Sequence, residues 1–207
     1  MGCDHAYITT EALTLGKATF SVASDIRPGP LSKARDNIEA AGLSGKAKLL
    51  LADGLDGIGE YAPDDIIIAG MGGELIADII DRAPFLQNEK IHLILQPMTS
   101  QDKLRAYLCS SGYRIDTEAV PAERTHLYQV ISAYYTGRPF ALTAAELAVG
   151  QVSVKPEEYR DNFRALIKHT AAKFEKIAGS KTSDNAKELE LVKELNEMLK
   201  ETYDENG

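Results

Sequence analysis

The sequence predicts an α/β fold, a mostly parallel sheet covered by helices and followed by a helical arm. Residues 1–138 alternate short apolar runs with amphipathic segments, the pattern of strands joined by crossover helices. Two of those runs, Ile66-Ile67-Ile68-Ala69 and Leu93-Ile94-Leu95, are apolar at consecutive positions, which predicts central strands covered on both faces. After Gly137-Arg138-Pro139 the alternation stops, and apolar residues recur at three- and four-residue steps, the period of an amphipathic helix.

In chain order the apolar runs predict strands over 19–24, 47–52, 65–69, 92–96, 113–120 and 127–135. Between them, helices are expected over 8–15, 30–41, 74–83 and 101–110. The last two strands are longer and joined by a short link containing Pro121 and His126, which predicts an antiparallel pair and an antiparallel edge strand. Thr143 with Glu146 forms a potential capping box, and Pro156 suits the first turn of a longer helix reaching Ala178. Along that helix Tyr159, Phe163, Leu166, Thr170, Phe174 and Ile177 make one apolar stripe. Gly179-Ser180 and residues 182–184 break it, and Leu189, Val192, Leu195 and Leu199 make a second. Two antiparallel helices zipped as a coiled coil are expected.

A chain of 207 residues, 44% hydrophobic, can bury one substantial core with residues left for an appendage. Cys3 and Cys109 stand alone, without metal-ligand or disulfide spacing, so no metal is expected and a reducing cytoplasm fits. No charged start precedes an apolar core, and no run of eighteen apolar residues occurs, so neither secretion nor a membrane span is expected. Ala6 stands where a myristoylation start needs Ser or Thr. The net charge of -8 argues against a uniformly basic nucleic-acid surface. Its distribution is uneven: residues 151–181 hold 7 basic against 4 acidic side chains, while 1–150 hold 13 against 19 and 182–207 hold 3 against 8. The basic segment is either a polyanion contact or a solvated helix face.

The chemistry-bearing residues sit where strands are expected to end. Gly2-Cys3-Asp4-His5-Ala6-Tyr7 is a glycine turn opening a helix beside an acid and an imidazole, an element able to hold a charged cofactor. Asp25 ends the strand over 19–24, where an acid commonly accepts hydrogen bonds from ribose hydroxyls; Ile26-Arg27-Pro28-Gly29-Pro30 then predicts a turn. Asp53-Gly54-Leu55 ends the next strand, placing an acceptor for an exocyclic adenine amine next to a close backbone approach. Ala69-Gly70-Met71-Gly72-Gly73 follows the third, with three glycines in four residues that predict a loop approached by a ligand or another backbone. It lacks the Gly-Lys-Ser/Thr of a P-loop, and no G-x-G-x-x-G occurs. Gln96-Pro97 places an uncharged amide at the fourth end, either a loop hydrogen-bonder or a catalytic group.

Taken in order, G-C-D-H-A-Y, S-D-I-R-P-G-P, A-D-G-L, I-A-G-M-G-G and L-Q-P resemble the bacterial tRNA adenine-22 N1-methyltransferase family, the TrmK family, over practically the whole chain. The resemblance implies a Rossmann-like class I methyltransferase domain over 1–138 and a C-terminal helical coiled-coil domain over 139–207. It implies S-adenosylmethionine as cofactor and tRNA as the partner methylated. By motif it implies Gly2, Asp4 and His5 near the methionine part, Asp25 and Ile26 at ribose, Asp53, Gly54 and Leu55 at adenine, and Ala69, Gly70, Met71 and Gly72 beneath the sulfonium. Family members ordinarily precede the first loop with a short helical segment and a strand reading roughly V-x-D-I-G, so a fragment beginning inside that loop is expected.

Tyr7 is the candidate to stack on an extruded adenine, against the alternative that it packs inside the first helix. Lys155, Arg160, Arg164, Lys168, Lys173, Lys176 and Lys181 are the candidate phosphate contacts of the arm. A non-catalytic RNA-binding scaffold and a small-molecule methyltransferase stay open at this point, as do a monomer and a dimer.

Overall fold

The computed structural model describes residues 6–151, 157–179 and 185–204. They form, in chain order, α1 (Tyr7–Thr14), β1 (Ser21–Asp25), α2 (Pro28–Ala40), β2 (Ala47–Leu51), β3 (Asp65–Gly72), α3 (Gly73–Asp81), β4 (His92–Thr99) and α4 (Gln101–Ser110). Then follow β5 (Tyr113–Ala119), β6 (Ala122–Glu123), β7 (His126–Leu127), β8 (Val130–Tyr135), α5 (Ala144–Val149), α6 (Arg160–Ala178) and α7 (Ala186–Asp204).

β1 and β2 run parallel, with Ser21 opposite Ala47 and Asp25 opposite Leu51. β3 and β4 are also parallel, Asp65 lying opposite His92. β8 pairs antiparallel with both β4 and β5, giving the order β3-β4-β8-β5. The antiparallel strand therefore lies one place in from the edge rather than at it. The α4 crossover carries β5 past a gap that β8 fills on its return.

Among the described residues no ladder joins β1 to β3, so β1-β2 and β3-β4-β8-β5 are separate sheets, and β6 with β7 makes a small antiparallel third. Side chains connect the first two: Val22 of β1 and Leu50 of β2 pack against the main core.

That core is built by Ile66, Ile68, Leu93, Leu95 and Ile131 of the larger sheet with Ile76 and Ile80 of α3 and Leu104 and Leu108 of α4. The expectation of two central strands covered on both faces is met only in part: Ile67 and Ile94 are half-buried, and among the described residues β4 is interior while β3 lies at the edge of its sheet. α1 and α2 instead close a separate cluster on β1, including Leu13, Ala23, Ala34 and Ile38.

Two local expectations change. Pro28-Gly29-Pro30 is not a free turn but the first turn of α2, since proline at the first helical positions forgoes only an amide that has no partner there. The glycine-rich segment is not a loop, because β3 continues to Gly72 through register shifts after Ala69 and Met71. Gly70 holds φ +77° in that irregularity. A Cβ on Gly73 would stand 2.2 Å from the Ser100 carbonyl oxygen, so a neighbouring backbone already requires that glycine.

The Thr143–Glu146 capping box forms at the start of α5. α6 and α7 pack antiparallel, with Arg164 meeting Thr202 at one end and Asn185 meeting the Ala178 carbonyl at the other. Phe163, Leu166, Ile167 and Ala171 face Leu195 and Met198. Leu189 is exposed, so the buried stripe of α7 runs through Val192, Leu195, Met198 and Thr202 instead. Val120 belongs to the same cluster, which seats the helices on the end of β5.

A buried ion pair reinforces that seat. Arg105 Nε donates to Glu118 Oε1 at 2.7 Å, with the two side chains 1% and 2% exposed. Its other nitrogens reach Gln129 Oε1 at 2.6 Å and the Leu147 carbonyl at 2.9 Å, while the Gln151 amide donates to Glu118 Oε2. One guanidinium thus ties α4, the two outer strands and α5 together.

Candidate functional site

The carboxyl ends of β1 and β2 carry the first group of candidate residues. Asp25 is buried at the last position of β1, where its Oδ1 accepts the Arg27 amide at 2.9 Å. Its carbonyl accepts the Ala52 amide, which draws the two strand ends together. Ile26 beside it is 62% exposed. A sheltered carboxylate next to an outward apolar side chain suits a ribose with a base above it.

Asp53, two residues beyond β2, is 55% exposed at its side chain and accepts from Arg82 Nη1 at 3.3 Å. That hydrogen bond and the carboxylate's charge raise the Arg82 guanidinium above its ordinary value. Gly54 takes φ +63°, and Leu55 turns its side chain into the main core. Of the three, Asp53 thus offers a side-chain acceptor, while any contribution of Leu55 to a ligand is made by its backbone. Arg82 has no counterpart among the sequence expectations: it lies 29 residues from Asp53 at the end of a helix, and no local pattern announces the pairing. A cleft of about 370 Å³ opens beside Asp53, walled by Ile79, Arg82 and Phe85, and includes none of Asp25, Ile26 or Gly70.

The ends of β3 and β4 carry the second group of candidate residues. The Gly70 amide donates to Gln96 Oε1 at 2.9 Å. A Cβ on Gly70 would meet nothing within 4 Å, so backbone is presented to open space there, as a ligand cradle requires. At the start of α3 and α4, Lys103 Nζ meets Glu74 Oε1 at 2.5 Å; the hydrogen bond first, then the ammonium charge, holds the Glu74 carboxyl below its ordinary value. Ser100 enters α4 with φ +53°, and the preceding Met98 is exposed.

Tyr7 begins α1 directly after Ala6 at φ +51° and is 67% exposed, so it does not pack inside the helix. Gly2, Asp4 and His5 lie outside the described residues, as do Lys155 and Lys181. Arg164, 14% exposed at its side chain, is engaged within the arm by Asp161, Thr202 and the Tyr203 ring. Arg160 sits 3.9 Å from Glu157. Lys168, Lys173 and Lys176 are exposed on α6. The described residues hold no group of three or more His, Cys, Asp or Glu arranged for a metal ion, and no helix long and apolar enough to cross a membrane.

Parallel strand pairs, acids at or just beyond the ends of β1 and β2 and a glycine-rich end to β3 are features of a Rossmann-like nucleotide-binding domain. A model of the TrmK family, tRNA (adenine(22)-N(1))-methyltransferase, matches residues 1–201, and the chain belongs to that family. The tRNA (adenine(22)-N(1))-methyltransferase of Bacillus subtilis is 30% identical over 211 residues, spanning 99% of this chain and 89% of that protein. The crystal structure of the B. subtilis m1A22 tRNA methyltransferase TrmK superposes with a TM-score of 0.73 at 30% identity, covering 98% of this chain and 89% of the other. A Streptococcus pneumoniae protein crystallised in complex with S-adenosyl-L-methionine gives a TM-score of 0.80 at 30% identity, over 94% of this chain and 89% of that one.

Proposed function

We propose that this chain methylates N1 of an adenine in tRNA, using S-adenosylmethionine. The observation that carries the reading is the buried Asp25 carboxylate at the end of β1, within a chain matching the family over residues 1–201. Bound S-adenosylmethionine supplies a methyl group activated on a sulfonium. Asp25 accepts the ribose hydroxyls, Ile26 packs against the base, and Asp53 accepts the adenine amine after exchanging its contact with Arg82. Backbone at Ala69–Gly72 gives the close approach beneath the reacting end.

Adenine N1 already carries an in-plane lone pair, so its methylation needs no general base. Positioning and electrostatics supply the rate. Tyr7, exposed at the start of α1, stacks on the extruded base. Residues 1–138 act as the cofactor domain and 139–207 as the RNA-contacting arm, with Lys168, Lys173 and Lys176 reaching phosphates. Both substrates belong to the cytoplasm, where the enzyme works.

The test incubates unmodified tRNA with methyl-labelled S-adenosylmethionine. Wild type should label the tRNA, and Asp25→Ala should do so only at much higher cofactor concentration. A chain that binds tRNA but transfers no label is a scaffold, and label confined to small metabolites contradicts the RNA assignment.

A further inference from the structure

We infer that Gln96 reads the Hoogsteen edge of the target adenine and so selects the base while leaving N1 free to react. This inference rests on the methyl-transfer reading above.

The amide has a fixed sense. Its Oε1 accepts the Gly70 N–H at 2.9 Å, and an N–H can only donate, so the oxygen faces Gly70 and the nitrogen is turned to the other side. There Nε2 has weak partners, the Pro97 carbonyl at 3.5 Å and the Met98 sulfur at 3.3 Å. Gln96 is half-buried near the carboxyl end of β4, opposite Ala69 in the parallel ladder. One hydrogen bond therefore separates it from the backbone that presents open space at Gly70.

One lone pair of Oε1 is left over, and the two Nε2 hydrogens are held only by the long contact to the Pro97 carbonyl and by the Met98 sulfur, a weak acceptor that a base edge can displace. A carbonyl oxygen has two lone pairs and an amide nitrogen two hydrogens. The second lone pair of Oε1 and the outward hydrogen of Nε2 form the acceptor–donor pair that matches adenine N6–H and N7, the pairing by which glutamine reads adenine bidentately. Guanine presents O6 where adenine presents N6–H, setting acceptor against acceptor. An adenine held this way exposes its Watson–Crick edge, where N1 lies. Exposed Met98 adjoins the amide as apolar surface for the base.

Gln96→Glu separates this role from a structural one, because the carboxylate still accepts the Gly70 amide but offers N7 no donor. Initial rates are measured for wild type and Gln96→Glu on tRNA carrying adenine or 7-deazaadenine at the target, and S-adenosylmethionine affinity is measured by calorimetry. The 7-deaza change removes the N7 acceptor and keeps N1. Wild type should lose about tenfold or more in kcat/KM on the 7-deaza substrate, the scale of one base-edge contact. Gln96→Glu should lose a similar factor on adenine, lose nothing further on 7-deazaadenine, and keep its cofactor affinity. A wild type indifferent to N7, losses that multiply in the variant, or collapsed cofactor affinity in Gln96→Glu each overturn the inference alone. Absence of any N1 methylation by wild type on ordinary tRNA overturns it together with the methyl-transfer reading.

Discussion

Replacing Arg105 by Leu removes the side chain that joins α4, the outer strands and α5. The Glu118 carboxylate, 2% exposed, keeps the Gln151 amide but loses its counter-charge. Gln129 Oε1 and the Leu147 carbonyl lose their donors in the same step. Breaking a buried pair from one side costs about 3–5 kcal/mol. At roughly 2–4 °C per kcal/mol for a chain of this length, Tm should fall by about 6–20 °C. Glu118→Leu should cost a comparable amount, whereas the double variant leaves no unpaired buried charge and should be no less stable than either single one. Thermal and urea unfolding followed by circular dichroism on all four proteins measures the cycle. Single losses under about 1 kcal/mol, or losses that simply add in the double variant, would refute the reasoning.

Other consequences follow from single positions. Gly73→Ala drives a Cβ to 2.2 Å from the Ser100 carbonyl oxygen and should cost about 1–3 kcal/mol in denaturant unfolding. Gly29→Ala, in the first turn of α2, meets nothing beyond its chain neighbours, but a Cβ directly before Pro30 crowds the proline ring in helical backbone, so the same measurement should show no gain in stability. Burial pushes the Cys109 thiol up to about 11. In a Cys3→Ser background, a thiol reagent at pH 8 should therefore react only as the protein unfolds. Between the ordinary thiol range and about 11 the unfolded chain releases a proton that the folded one keeps, so this group's contribution to stability falls as pH rises. Urea titrations of wild type and Cys109→Ala at pH 8 and 10 read that contribution. Replacing Lys168, Lys173 and Lys176 together by Ala should weaken tRNA binding and lower the slope of log affinity against log salt by about 3, leaving cofactor affinity unchanged.

The parts legible in the sequence were those encoded by local pattern. Apolar runs ending in Asp25 and Asp53 located two strand ends because period and chemistry coincide there. Thr143 with Glu146 announced a cap that spans only three residues. What depends on distant partners was not legible. The glycines at 70–73 suggested a loop, yet a bulged strand and the backbone of Ser100 account for two of them. Arg82 reaches Asp53, and Arg105 reaches Glu118, Gln129 and Leu147, across separations that leave no periodic trace. Leu189 fits the heptad-like spacing of α7, but the face of α6 it would need lies elsewhere, and it stays exposed.

Methylation at adenine N1 blocks Watson–Crick pairing, so reverse transcription across the treated tRNA tests the central claim most directly. A stop that appears at a single adenine only when enzyme and S-adenosylmethionine are both present is the predicted result. Methyl incorporation without a stop, or no incorporation at all, contradicts it.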